Sequence, residues 1–122
     1  MIRLKQPIRI GSLRFNVILA NKEEKPDLAK VDGYTDFDRG EIVIANCLPM
    51  SRKQKVLVHE IIHACVDDSG LGTLFTTVAK SGFKGDLEEQ VIQSLSSPLT
   101  LAIEQLQTLQ WERSTQRRRK PR

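Results

Sequence analysis

Both histidines of the 122-residue chain lie in one short segment, VLVHEIIHAC, at positions 59 and 63. Residues four apart share a face of an α-helix, so His59 and His63 can bind one metal ion together. Glu60 completes an HExxH pattern, and neutral imidazole nitrogens are common zinc ligands. The chemistry that fits is zinc-assisted hydrolysis, with Glu60 as the general base that takes a proton from water.

The third zinc ligand is less clear from the residues alone. A catalytic zinc ion usually has three protein ligands and one open position. Asp67 follows the histidines on the helix, but it lies about 6 Å further along the axis, which is far for a short side chain. Glu88 and Glu89 open the next predicted helix, Glu88 at the centre of its apolar stripe and Glu89 at the margin. Acidic residues also stabilise a first helical turn without binding metal, so both glutamates stay open here.

An amphipathic helix is predicted to carry the histidines. Ser51 and Gln54 form a capping-box pattern, which predicts a helix from about 52 to 67 that stops near Gly70. Apolar residues at spacings of three and four predict a packing face apart from the histidines. Its members are Val58, Ile61, Ile62 and Cys65.

A second long helix is predicted to begin near Asp86 or Leu87. Pro98 either kinks this helix or opens another one with Ser97 as its N-cap. Residues 69–85, between the two helices, predict an irregular connection with room for a short helical piece over LFTTVAK. The second helix carries one apolar stripe, formed by Ile92, Leu95, Leu99, Ala102, Leu106 and Leu109.

Strand signals precede the helices. Residues 13–19, LRFNVIL, predict one strand. Alternating residues on either side of the turn signal Asp38-Arg39-Gly40 predict a β-hairpin over about 33–46. A sheet followed by two long helices predicts an α+β domain.

Composition sets further limits. No segment has the roughly 20 apolar residues of a membrane span, and Arg9 and Arg14 interrupt any signal-peptide core, so we expect a cytoplasmic protein. Two cysteines, Cys47 and Cys65, predict free thiols.

The segment 113–122 holds six of the 19 basic side chains and none of the 15 acidic ones. We therefore expect one domain over 1–112 and a disordered basic tail, which is either solvated or in weak contact with nucleic acid.

Three segments together resemble the small phage-encoded zinc metallopeptidases related to the ImmA/IrrE group. They are HEIIHAC, the downstream EEQVIQSL and the preceding GYTDFDRGEIVI, within residues 30–105. The resemblance implies a zincin-like fold, a small antiparallel or mixed sheet packed on the HExxH helix and a C-terminal ligand helix. It also implies Glu89 as the third ligand, with Glu88 in reserve. In the family, the ligand glutamate is followed by an apolar residue three positions later, a large apolar residue after six and a small residue after seven. Counted from Glu89, these positions hold Ile92, Leu95 and Ser96.

The same resemblance implies a peptidase of phage or prophage origin acting on a protein or peptide, with a repressor or a host protein as candidates. The strand over 41–46 would be the sheet edge along which an extended peptide lies. Tyr34 is either an oxyanion-stabilising donor or an ordinary aromatic residue of a strand. The alternative function is a catalytically inactive zincin-fold module that binds a protein partner.

Overall fold

The computed structural model describes the backbone of residues 1–80 and 86–118, with the side chains of 1–78 and 86–105. The fold is α+β, as predicted, with a small mixed sheet and three helices. A short 3-10 helix spans Pro26–Ala29. The strands are β1 (Ile2–Arg3), β2 (Ile8–Ile10), β3 (Leu13–Ala20), β4 (Gly33–Asp36) and β5 (Glu41–Ala45), and the helices are α1 (Met50–Ser69), α2 (Leu71–Lys80) and α3 (Leu87–Arg118).

The strand order of the sheet places β5 between β3, to which it is parallel, and β4, to which it is antiparallel. Strands β1 and β2 both pair with β3. The expectation that residues 41–46 form the sheet edge is therefore wrong, and β4 is the edge strand beside β5. The physical reason is that 42–45 are all buried, and a strand covered on both faces belongs inside a sheet.

The predicted hairpin is confirmed, since β4 and β5 pair antiparallel around a turn in which Gly40 has a φ of 64°. Alternate residues of these strands point to opposite faces of the sheet. On one face Ile42 and Ile44 pack in a cluster with Ala64 of α1. On the other face Val43 belongs to a separate cluster, against which Tyr34 packs.

Helix α1 begins earlier than predicted, at Met50, with Pro49 at the N-cap and no side-chain cap. The capping-box prediction is therefore wrong, because Ser51 lies inside the helix. The end is as predicted, since α1 stops before Gly70, whose φ is 79°. At Gly33 a Cβ atom would stand 2.5 Å from Cγ1 of Val56, so the missing side chain lets α1 lie directly against β4.

The packing face of α1 differs in part from the predicted one. Val58 is buried as expected, and Ile61 packs against the core cluster. Cys65, however, is exposed, and the buried residue at this level of the helix is Ala64. Ala64 is fully buried in the cluster that contains Ile42 and Ile44 of β5, so this side of α1 faces the sheet.

Helices α2 and α3 also correct the predicted pattern. Residues 71–80 form one helix, which contains the helical piece predicted over LFTTVAK and replaces the irregular chain predicted before it, while 81–85 lie outside the described residues. Helix α3 starts where predicted and continues through Pro98, which opens no new helix. Of the stripe residues whose side chains the structure describes, only Ile92 is fully buried, and Leu95, Leu99 and Ala102 are exposed. The side chains of Leu106 and Leu109 lie outside the described residues. The helical backbone reaches Arg118, inside the basic segment.

Among the described residues, no helix combines the length and the hydropathy that crossing a membrane requires. Cys47 and Cys65 are free thiols, as predicted. Helix α1 thus has the sheet against one side and the first turns of α3 against another, and the chemistry-bearing residues lie where α1, α3 and β4 meet.

Candidate metal centre

The two imidazoles lie side by side on α1, with ring centroids 5.0 Å apart and an angle of 65° between the ring planes. Both side chains are about one-fifth exposed. The helical spacing of His59 and His63 therefore produces the shared face that the sequence predicted. Their edges point towards the first two turns of α3.

Glu89 supplies the carboxylate that lies between the imidazoles. Its Oε1 is 2.8 Å from Nε2 of His59, and its Oε2 is 3.0 Å from Nε2 of His63. Helix α3 holds this side chain in place because Ile92, one turn further on, is fully buried against the domain. Asp86 accepts a hydrogen bond from the backbone N–H of Glu89 at 3.1 Å, which fixes the start of the helix.

Glu88 lies on the outer side of the histidine pair. Its Oε2 is 2.9 Å from Nδ1 of His63, the ring nitrogen that faces away from Glu89. The Nδ1 atom of His59 has an equivalent neighbour, the hydroxyl of Ser96 at 3.3 Å. The two adjacent glutamates thus have different positions. Glu89 lies between the two imidazoles, and Glu88 lies beside the outer nitrogen of His63.

These outer contacts decide which ring nitrogens carry protons. A carboxylate only accepts, so Nδ1 of His63 donates to Glu88. The hydroxyl of Ser96 donates its one proton to the carbonyl of Ile92 at 2.6 Å, and so accepts from Nδ1 of His59. The carboxylate of Glu89 also only accepts, so the two Nε2 atoms would present lone pairs towards it only with a cation between them.

Two imidazole nitrogens at 2.8 and 3.0 Å from the two oxygens of one carboxylate are a donor set that suits a divalent cation. Nitrogen and carboxylate oxygen are the donors that zinc takes in hydrolytic sites, with a ligand set of two histidines and one glutamate among the known types. Outer hydrogen bonds that fix the ring tautomer are a regular feature of histidines that bind metal. The side chains of His59, His63 and Glu89 therefore fit Zn²⁺.

Glu60 is close to this group but is held differently. A carboxylate oxygen of Glu60 and one nitrogen of each imidazole lie within 4.8 Å of one another. The side chain is buried, with 7% of its surface exposed, and Oε1 accepts a hydrogen bond from Oγ1 of Thr35 at 3.0 Å. Thr35 is on the α1 face of the edge strand, so β4 fixes the direction of this carboxylate.

An open cavity of about 690 Å³ runs past the group. One wall is α1, with Arg52, Lys55 and Val56 before the histidines, and the opposite wall is the start of β4. Glu60 and Glu89 lie in the lining, whereas Glu88 does not. His59, His63 and Glu89 therefore lie in the wall of a cavity that is open to solvent.

Four predicted site residues, His59, Glu60, His63 and Glu89, are brought together. Tyr34 is not, because its ring packs against the cluster on the far face of the sheet, where burial raises the pKa of its hydroxyl. Tyr34 is nevertheless among the residues that line the cavity, and an oxyanion role for it stays a prediction. Asp67 is exposed at the end of α1 and makes no contact with the histidines among the contacts described.

The sequence did not predict the contacts of Thr35 with Glu60 and of Ser96 with His59, although Ser96 was named as the small position after Glu89. A signal existed for each. Thr35 alternates with Tyr34 in the predicted hairpin, so one of the two had to face α1. Ser96 is a polar residue seven positions after Glu89, which places it two helical turns along the same face.

No family model, curated protein or solved structure matches this chain. The resemblance to the ImmA/IrrE group therefore stays a prediction from the quoted motifs.

Proposed function

We propose that the chain is a zinc-dependent peptidase of zincin type, in which His59, His63 and Glu89 bind the ion. The observation that supports this most strongly is the convergence of both Nε2 atoms on the Glu89 carboxylate, at 2.8 and 3.0 Å. Bound zinc would supply Lewis-acid chemistry, polarising a peptide carbonyl and making water acidic enough to lose a proton near neutral pH.

Glu60 is the general base of this proposal. Thr35 occupies Oε1, which leaves Oε2 to accept a proton from a water molecule beside the histidines. The same oxygen then delivers that proton to the leaving amine. Burial keeps the carboxylate in one orientation, so its position relative to His59 is set before a substrate binds.

The outer edge of β4 is the proposed place for the substrate backbone. Residues of an antiparallel pair alternate between those that bond to the partner strand and those that bond outward. The N–H of Ala45 donates to the carbonyl of Asp32, so Tyr34 also bonds inward to β5. The backbone groups of Gly33 and Thr35 consequently face outward, and an extended peptide can pair with them beside the cavity.

The test is proteolysis of denatured casein by the zinc-loaded protein and by Glu60→Gln. The amide cannot act as a base, so the rate should fall by about 10²- to 10⁴-fold while zinc stays bound. Asp67→Asn, the same change on the exposed end of α1, is the matched control and should keep the wild-type rate. Equal rates for wild type and Glu60→Gln would refute the proposal.

The alternative of an inactive binding module makes the opposite prediction for the same proteins. Zinc-loaded wild type would then leave casein and other unfolded proteins intact. The Glu60→Gln change would also leave partner binding unaltered. The hydrogen bond that fixes Glu60 favours the enzyme, since a binding module has no use for an oriented buried base.

A further inference from the structure

The charged side chains lining the cavity differ in whether they already have partners. Asp32 is paired with Arg52, whose Nη2 and Nε lie 2.8 and 3.2 Å from Oδ2. Glu60 is bonded to Thr35, and Glu89 contacts both imidazoles. Each acidic group of the lining is thus engaged.

Lys55 is the exception. It lines the cavity, and no hydrogen bond or ion pair of its ammonium group is found among the described side chains. It precedes His59 by four residues, so it lies on the same face of α1, about 6 Å along the helix axis. Arg52, one turn earlier, is neutralised by Asp32. The cavity therefore has one uncompensated positive charge next to the histidines.

The position of Lys55 can be related to the direction of a bound peptide. Asp32 meets Arg52 while Thr35 meets Glu60, so β4 and α1 run the same way along the cavity. Antiparallel strand pairs outnumber parallel ones roughly two- to three-fold, and a peptide that pairs antiparallel with β4 runs from the Glu60 end towards the Lys55 end. At about 3.4 Å per residue, Lys55 is reached about two residues after the bond beside Glu60.

We infer that Lys55 selects substrates with a carboxylate on the C-terminal side of the scissile bond. This inference rests on the proposed peptidase function and names its substrate class. The carboxylate belongs either to an aspartate or glutamate side chain or to the end of the peptide chain. A lysine ammonium recognises both as a point charge with three donors.

The experiment uses random decapeptides digested by the zinc-loaded protein, with cleavage sites read by mass spectrometry. Aspartate and glutamate should be enriched about two- to fivefold within the first three positions after the cut, which is the range of an exposed ion pair. The enrichment should shrink in about 1 M salt, where the screening length is about 3 Å. A second library with C-terminal amides shows whether the chain end is the carboxylate that is read.

Lys55→Glu should remove the acidic preference and favour lysine and arginine at the same positions. Lys53→Glu is the matched control, since it makes the same charge change on α1 outside the cavity lining, and it should keep the wild-type pattern. Cleavage without a carboxylate preference, or a preference that survives Lys55→Glu, would overturn the inference alone. No cleavage by the zinc-loaded wild type would overturn both this inference and the peptidase proposal.

Discussion

The hydroxyl of Ser96 lies 3.3 Å from Nδ1 of His59, on the side of the ring that faces away from Glu89. Ser96 is buried, with 2% of its surface exposed, and its proton is committed to the carbonyl of Ile92. A serine on α3 thereby sets the tautomer of a histidine on α1. The ring nitrogen that faces Glu89 can then offer its lone pair to a cation.

Ser96→Ala should therefore weaken zinc binding about 10- to 100-fold, the usual effect of losing such an outer hydrogen bond. The dissociation constant can be measured by competition with a chromophoric chelator. Ser94→Ala is the control, because Ser94 makes the same backbone bond to Gln90 but is exposed and distant from the rings. An equal loss of zinc affinity in the two variants would show that the substitutions disturb helix α3 itself and not the tautomer of His59.

Glu88 and Glu89 should respond differently to substitution. Glu88→Ala removes the acceptor behind His63 and should raise the zinc dissociation constant about 10- to 100-fold, whereas Glu88→Gln keeps an accepting oxygen and should lose less. Glu89→Ala removes a proposed ligand and should therefore show the largest loss of zinc affinity. Isothermal titration calorimetry of the three variants decides the ranking, and a larger loss for Glu88→Ala than for Glu89→Ala would exchange their roles.

Thr35→Val should destabilise the fold through Glu60. The substitution keeps the shape but leaves a buried carboxylate oxygen without its donor, which costs about 1–3 kcal/mol in free energy of unfolding. Urea denaturation in chelator measures this. Thr76→Val, on an exposed face of α2, should change stability by less than about 0.5 kcal/mol. In a Glu60→Ala background the cost of Thr35→Val should shrink, and an unchanged cost would place its origin elsewhere.

Acid stability should depend in part on Asp68. Its Oδ1 accepts from the hydroxyl and the backbone N–H of Ser12, at 2.6 and 3.1 Å, and these bonds hold the pKa of Asp68 below its ordinary value of 3.8. A lowered pKa adds stability above pH 3.8, and this is lost as the pH falls through the native pKa. Asp68→Asn should thus be less stable than wild type at pH 6, with a gap that narrows below pH 3.8.

Urea denaturation of both proteins in chelator, at several pH values, measures this gap without a contribution from zinc release. The neutral amide still accepts from Ser12, so only the charge-dependent part of the bond is tested. A gap that is constant from pH 6 down to pH 3 would contradict the prediction.

Local patterns predicted the hairpin, the end of α1 and the start of α3, because turn chemistry and helix periodicity are properties of short segments. Strand order was predicted wrongly for β5, although its run of four apolar residues was the signal of a central strand. The packing face of α1 was ambiguous for a physical reason. The sheet and α3 both contact this helix, so its isoleucines do not mark a single buried stripe.

The site was predictable where the chemistry lies within one helix, as for His59, Glu60 and His63. The choice between Glu88 and Glu89 depends on how α3 is rotated against α1, which adjacent residues of one type do not reveal. Residue pairs that join different elements, such as Thr35 with Glu60, require the tertiary structure. The sequence alone left them unassigned.

We propose that His59, His63 and Glu89 bind one zinc ion while Glu60 does not. Native mass spectrometry after zinc loading and desalting tests it directly on wild type, Glu60→Gln, His63→Ala and Glu89→Ala. We expect one zinc ion in wild type and in Glu60→Gln, and loss of the ion in the other two variants. Full retention of zinc in His63→Ala and Glu89→Ala would contradict the proposed centre.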